Sequence, residues 1–309
     1  MKDHQQPLLL VAAILTGIIA NQLLPTPPEI AVDAAIYALL ATVFASIPLN
    51  KLRESAKDYK YLSVAWSANF LLIPIIALAI ALLVSEPTSM LFLGLLIYFV
   101  APCTDWVIGF TKLARGDVQR NTILLPINLL TQLLLVATIL ILFTNQTINL
   151  SYNEFLNTLF YWILLPFIAT QTLVQLSRLQ NTQTPTTIQH TANNAIIYVT
   201  ALLVFIIFYA NTNTLIENYA LLPRILASIL LFFIATYYAT KALAKTTKLP
   251  RKQEIGLAIT TAARNAPLML GLTLALIPQA TTVHLVLIIG MLIEFPHLIA
   301  LTHILQQPK

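Results

Sequence analysis

Three apolar runs of this sequence carry polar side chains with the chemistry of a functional site: Cys103, Thr104 and Asp105 in the first, Arg264 and Asn265 in the second, and Glu294 in the third. The first run, Ile97 to Asp117, reads I-Y-F-V-A-P-C-T-D-W-V-I-G-F-T-K-L-A-R-G-D. It is apolar enough to lie in a bilayer, and it holds the only cysteine of the chain directly after Pro102. Proline cannot donate to the helix ladder and clashes with the preceding turn, so a helix break is expected there. A broken backbone at membrane depth is tolerated only where protein or a wet cavity surrounds it. A carboxylate at that depth marks a functional site by default.

Each side chain implies a chemistry. A thiolate is the soft ligand that a thiophilic metalloid seeks, and it is favoured beside a helix N-terminus or a cation. Arg264, in the second run A-A-R-N-A-P-L, is the candidate cation, and as a residue that naturally binds an anion it joins Cys103, Thr104 and Asn265 as a substrate-binding candidate. Buried charges are paired or change protonation, so Asp105 either neutralises Arg264 or takes up protons itself. Glu294, in I-G-M-L-I-E-F-P, has fewer obvious partners, with Pro296 and His297 following it. A desolvated carboxylate suits a proton carrier better than a fixed counter-ion, so Glu294 is preferred over Asp105 for proton coupling. Thr104 and Asn265 offer hydrogen bonds. Asp33, Arg224 and Glu254 lie near span ends and read as anchors, His284 and His303 as interfacial, and the Trp and Tyr residues mostly as an aromatic belt.

Composition defines what must position these groups. Hydrophobic residues make up 58% of the chain, charged residues 9%, and the mean hydropathy is +0.81. A soluble domain carries about 25% charged residues. With roughly 20 apolar residues per crossing, 309 residues hold about ten short-looped helices and no soluble domain. The fold class is an all-α polytopic membrane protein with spans at 8–24, 30–49, 61–84, 89–113, 120–143, 155–178, 192–210, 219–243, 253–278 and 282–305. The first span lacks the small-residue cleavage site of a signal peptide and reads as a helix. One cysteine allows no internal disulfide.

The net charge of +5 is a record of topology. Lys51, Arg53, Lys57 and Lys60 lie between spans 2 and 3, Lys112, Arg115 and Arg120 between 4 and 5, Arg178 between 6 and 7, and Lys241, Lys245, Lys248, Arg251 and Lys252 between 8 and 9. The alternate loops carry only Glu29, Glu86, Glu154 and Glu217. The positive-inside rule puts both termini and the basic loops on the cytoplasmic side of a cell (plasma or inner) membrane. A nucleic-acid partner is not implied.

A shift of 162 residues superposes spans 2–5 on spans 7–10 and carries Ala101 onto Ala263, Cys103 onto Asn265, Gly109 onto Gly271, Thr111 onto Thr273 and Gln132 onto Glu294. Five spans separate the copies, so two inverted five-helix repeats are expected, with spans 4 and 9 broken and crossing. Inverted repeats with interrupted helices point to a secondary transporter whose site lies at the midplane.

The segment A-P-C-T followed by L-A-R-G-D resembles the fourth helix of the arsenite permeases, which share a superfamily with the bile acid:sodium symporters. I-G-M-L-I-E-F-P is similar to the glutamate-proline helix of the same permeases. The resemblance implies a single transporter unit over 1–309, with a core from about 61–143 and 219–305 and a panel from about 8–49 and 155–210. It also implies Cys103 and Glu294 as the functional pair and proton-driven export of trivalent arsenic. Asp105-Trp106 stands where the better-known permeases have small or apolar residues, and A-R-N-A-P brings Asn265 nearer the symporters. Hence the alternative is a sodium-coupled symporter of a small organic anion, with Thr104, Asn128, Gln132 and Asn265 supplying part of a sodium cage. An intramembrane enzyme is disfavoured, since no Ser–His pair, second aspartate or H-E-x-x-H motif accompanies Asp105. A passive channel would show flux indifferent to both gradients. No catalytic residue, metal site or cofactor is expected, and no GxxxG face argues for an oligomer.

Overall fold

The computed structural model describes residues 5–46, 59–104, 106–147, 157, 160–180, 184–217 and 219–307. Helix dominates, and no strand occurs among the described residues. Asp105, the basic residues Lys51, Arg53 and Lys57, Glu154, and the termini with Lys2 and Lys309 lie outside the described residues.

In chain order the helices are α1 (Gln5–Leu23), α2 (Glu29–Ser46), α3 (Tyr59–Val84), α4 (Met90–Val100), α5 (Val107–Leu113) and α6 (Val118–Thr147). They continue with α7 (Leu165–Gln180, entered through a π-turn at Phe160–Leu164), α8 (Thr184–Glu217), α9 (Leu222–Thr246), α10 (Arg251–Ala262), α11 (Ala266–Leu276) and α12 (Thr281–Gln306). Six helical stretches are long and apolar enough to cross a membrane, drawn from α3, α6, α7, α8, α9 and α12. Leu8–Leu23, Ile30–Ser46, Met90–Val100 and Ala266–Leu276 are shorter apolar helices. Leu15, Ile19, Ile75, Leu83, Leu134, Ile168 and Tyr238 are each at least half exposed. Apolar residues facing outward on so many helices belong against lipid, because soluble monomers keep contiguous apolar patches to a few hundred Å². This is a multi-pass membrane protein.

Prolines shape the helices. In α3 the stretch Ala68–Leu72 widens to a π-turn just before Pro74. Pro74 has no N–H for the carbonyl one turn back, and π-bulges form where the ladder is interrupted in this way.

The chain divides into two compact units. The first comprises Met1–Ile47, Asn149–Leu222 and Pro267–Ile288. Within it α8 packs along both α1 and α2, and α7 lies on α2. Gly17 lets α1 approach α8 closely, since a Cβ there would sit 2.7 Å from the Phe205 carbonyl oxygen. Tyr37 stacks on Trp162 at 4.3 Å, and the Gln171 amide donates to the Phe44 carbonyl at 2.6 Å.

The second unit comprises Pro48–Ile148, Pro223–Ala266 and Ile289–Lys309. A buried polar knot ties α3, α5, α6 and α10 together. The Tyr61 hydroxyl donates to Asn121 Oδ1 at 2.6 Å, and Asn121 Nδ2 donates to Thr111 Oγ1 at 2.8 Å and to the Gly256 carbonyl at 3.0 Å. Every member is buried, so the knot replaces hydrogen bonds that water would otherwise provide.

Candidate site at the two helix breaks

Both breaks belong to the second unit. α4 is apolar throughout, starts at Ser89, whose Oγ accepts from the Phe92 N–H at 3.2 Å, and ends at Val100. Ala101, which precedes Pro102, is extended at φ −99, ψ 96. That is the conformation proline imposes on its predecessor. α10 ends at Ala262, and Ala263 is likewise extended. The two interruptions pair as a short antiparallel bridge centred on Pro102 and Arg264. The Cys103 N–H donates to the Ala263 carbonyl at 3.0 Å, and the Asn265 N–H donates to the Ala101 carbonyl at 2.8 Å. Ala101, Cys103, Ala263, Arg264 and Asn265 are fully buried. Each break thus satisfies the backbone groups that the other has freed, as a dry environment demands.

Among the described residues the largest fully buried side chain is Arg264. Its Nη1 donates to the Phe99 carbonyl at 2.7 Å, and its Nη2 to the carbonyls of Thr260 at 3.1 Å and Thr261 at 2.5 Å. Phe99 lies in the last turn of α4, and Thr260 and Thr261 in the last turn of α10. Carbonyls at these positions have no partner within their own helix, and they form the negative ends of the helix dipoles. The Phe232 ring lies under the guanidinium, 5.6 Å from Cζ, and stacks on Phe99 at 4.1 Å.

Glu294 reaches the same residue from α12. Its Oε1 accepts from the Arg264 backbone N–H at 2.8 Å and from the Trp106 indole N–H at 2.8 Å. Tyr98 adds a second tie between the first break and α12, its hydroxyl donating to the Gly290 carbonyl at 3.0 Å. The Tyr98 ring lies so close over Gly290 that a Cβ there would fall 2.5 Å from it. Tyr98 and Arg264 are each within electrostatic range of Cys103 and Glu294. Asn265 Nδ2 donates to Thr104 Oγ1 at 2.9 Å, which joins the polar side chains of the two breaks.

Cys103, Thr104, Arg264, Asn265 and Glu294 are therefore one cluster. Both terminal nitrogens of Arg264 donate to backbone carbonyls. One expectation needs correcting, that on the partners of Glu294. Glu294 is not short of partners, because the break exposes a backbone N–H that sequence patterns do not show. His284 is only 3% exposed, whereas His303 is exposed. His297 stacks on Phe233 at 3.7 Å.

Asn128 and Gln132 are fully buried one turn apart on α6, and all four amide atoms lack a hydrogen-bond partner among the described residues. Tyr98 and Trp106, which the sequence does not single out from its other aromatic residues as site residues, both hold the cluster together. Gly290, one turn before Glu294, was the available signal for a close approach. Among the described residues no group of three His, Cys, Asp or Glu side chains could hold a metal ion.

A membrane bundle with interrupted helices bridged through their backbones, and buried polar groups collected at the bridge, has the architecture of a secondary transporter. A family model described as the Sodium Bile acid symporter family matches residues 34–218, more than half of the chain, and the chain belongs to that family. Its members are membrane transporters rather than enzymes. The match ends before α9, so the second break and Glu294 lie beyond it. None of the curated proteins matches this sequence.

Proposed function

We propose that this chain is a proton-coupled secondary transporter that exports trivalent arsenic through the site at the two breaks. The supporting observation is the backbone bridge that brings Cys103, Thr104 and Asn265 together, with the Glu294 carboxylate seated on the N–H of Arg264. The Cys103 thiol exchanges with one hydroxyl of arsenous acid, forming one sulfur–arsenic bond and releasing one water. Thr104 and Asn265 hydrogen-bond the remaining hydroxyls. One thiol binds weakly enough to release the cargo on the far side, where three would retain it. Glu294, with Asp105 as the second candidate, exchanges the coupled proton. Arg264 supports the site from behind by holding both helix ends.

Ten spans in two inverted repeats, a core and a panel, and cytoplasmic termini in a cell membrane belong to this proposal. The 162-residue shift supports the repeat. It carries the bond from Cys103 N–H to Ala263 onto the bond from Asn265 N–H to Ala101, and the Thr111–Val107 bond onto the Thr273–Met269 bond.

The test is arsenite accumulation by inside-out vesicles under an imposed pH gradient, for wild type and Cys103→Ser. Gradient-driven uptake that falls at least about tenfold in the variant, a loss of about 1.4 kcal/mol, is the expected result. Equal uptake by the two removes the thiol as a ligand.

A second reading is a sodium-coupled symporter of a small organic anion. The description of the family favours it, as do the unpartnered amides of Asn128 and Gln132. Uptake of an organic anion that requires a sodium gradient, with no arsenite flux, would select it.

A further inference from the structure

The carbonyl oxygens of Phe99, Thr260 and Thr261 converge on one point from the C-terminal ends of two half-helices. Carbonyl oxygens and half-helix C-termini are what transporters use to strip and hold a monovalent cation. In this protein the point is already filled by the Arg264 guanidinium, which is fully buried. We propose that Arg264 is a tethered cation, occupying the position a free monovalent cation would otherwise take and making this transporter indifferent to sodium.

Several observations converge on this role. The guanidinium is planar with fixed donors, and its two terminal nitrogens serve carbonyls from both half-helices at once. Such carbonyls would otherwise be buried without donors, a costly arrangement. The Phe232 ring closes one face. Glu294 sits on the backbone N–H of the same residue, so an anion accompanies the resident positive charge. A second cation entering this cage would meet a like charge at close range in a poorly screened interior, which disfavours its binding. The consequence is a division of labour: the fixed charge stabilises the bridge, and the moving charge must be handled elsewhere in the cluster. The effect on flux rests on the transporter reading above, whereas the cation-binding claim stands without it.

The experiment therefore uses no arsenic. The full-length chain in nanodiscs is titrated with radioactive sodium, and its thermal midpoint is compared in sodium, lithium, potassium and choline chloride at equal ionic strength. Wild type and Arg264→Lys are expected to show no saturable sodium binding and the same midpoint in all four salts. Arg264→Ser and Arg264→Gln are expected to melt earlier in choline and to gain a saturable rise of midpoint in sodium or lithium, as ligand linkage requires. Recovery of either variant only when a small cation is present throughout purification is the same result. Saturable sodium binding by wild type overturns the proposal. So does the absence of any cation response in both variants, whether they fold or are lost in every salt. Because no cargo is used, failure of the arsenic reading leaves these outcomes readable, and sodium binding by wild type leaves the arsenic reading standing.

Discussion

At the first break Ala101, Pro102 and Cys103 connect α4 towards α5, and at the second Ala263, Arg264 and Asn265 connect α10 to α11. The backbones are equivalent: each lends one N–H and one carbonyl to the other, at 3.0 and 2.8 Å. The side chains are not. The central residue of the first break is proline, which ends a helix by removing a donor. The central residue of the second is arginine, which supplies donors to the last turns of both α4 and α10. One break is therefore stopped by its own covalent structure and the other is held open by a charge. The lesson is that equivalent backbone geometry need not carry equivalent chemistry: the first break brings the thiol and the second brings the cation.

The comparison can be broken most forcefully at Arg264. Arg264→Ala strands three buried carbonyls beside an ionisable neighbour, and in choline buffer it should lose about 3–5 kcal/mol of stability, read as a fall in thermal midpoint. Glu294→Gln keeps an oxygen able to accept from Arg264 and Trp106, so the protein should fold. Its arsenite flux should fall by about tenfold or more, equivalent to about 1.4 kcal/mol, and lose its response to the pH gradient. Gly290→Ala forces the Tyr98 ring away from α12 and should cost about 1–3 kcal/mol in a thermal melt. Asn265→Ala and Thr104→Val should show a coupling of about 1 kcal/mol in a double-mutant cycle, because one hydrogen bond joins them. Smallest of all, Pro102→Ala removes the covalent stop but leaves the bridging N–H and carbonyl groups of its neighbours, and should cost about 0.5–1 kcal/mol in a thermal melt. A large loss from Pro102→Ala with a small one from Arg264→Ala would invert the comparison.

Much of the architecture was legible because it follows from local rules. Apolar runs of membrane length announce helices. Pro102 and Pro267 lie in the runs where helix gives way, and among the described residues the breaks fall at 101–104 and 263–265. Cys103, Thr104, Asn265 and Glu294 could be named as candidates because polar groups are rare in such runs. The partners could not be named. Glu294 looked solitary since its acceptors face a backbone N–H and an indole from distant helices. The carbonyls that Arg264 serves could not be read either, since carbonyls are present at every residue and leave no mark in the sequence.

The sequence by itself determined that the chain is a membrane bundle, where two of its helices must stop, and which few side chains there can do chemistry. These follow from hydropathy and from the covalent restrictions of proline, which act over a turn or two. Only the tertiary structure decided that the two stops hydrogen-bond to each other, that the buried arginine serves helix ends, and that Glu294 rests on the second break. Those outcomes depend on which unsatisfied backbone groups meet in space, and helices far apart along the chain settle that by packing.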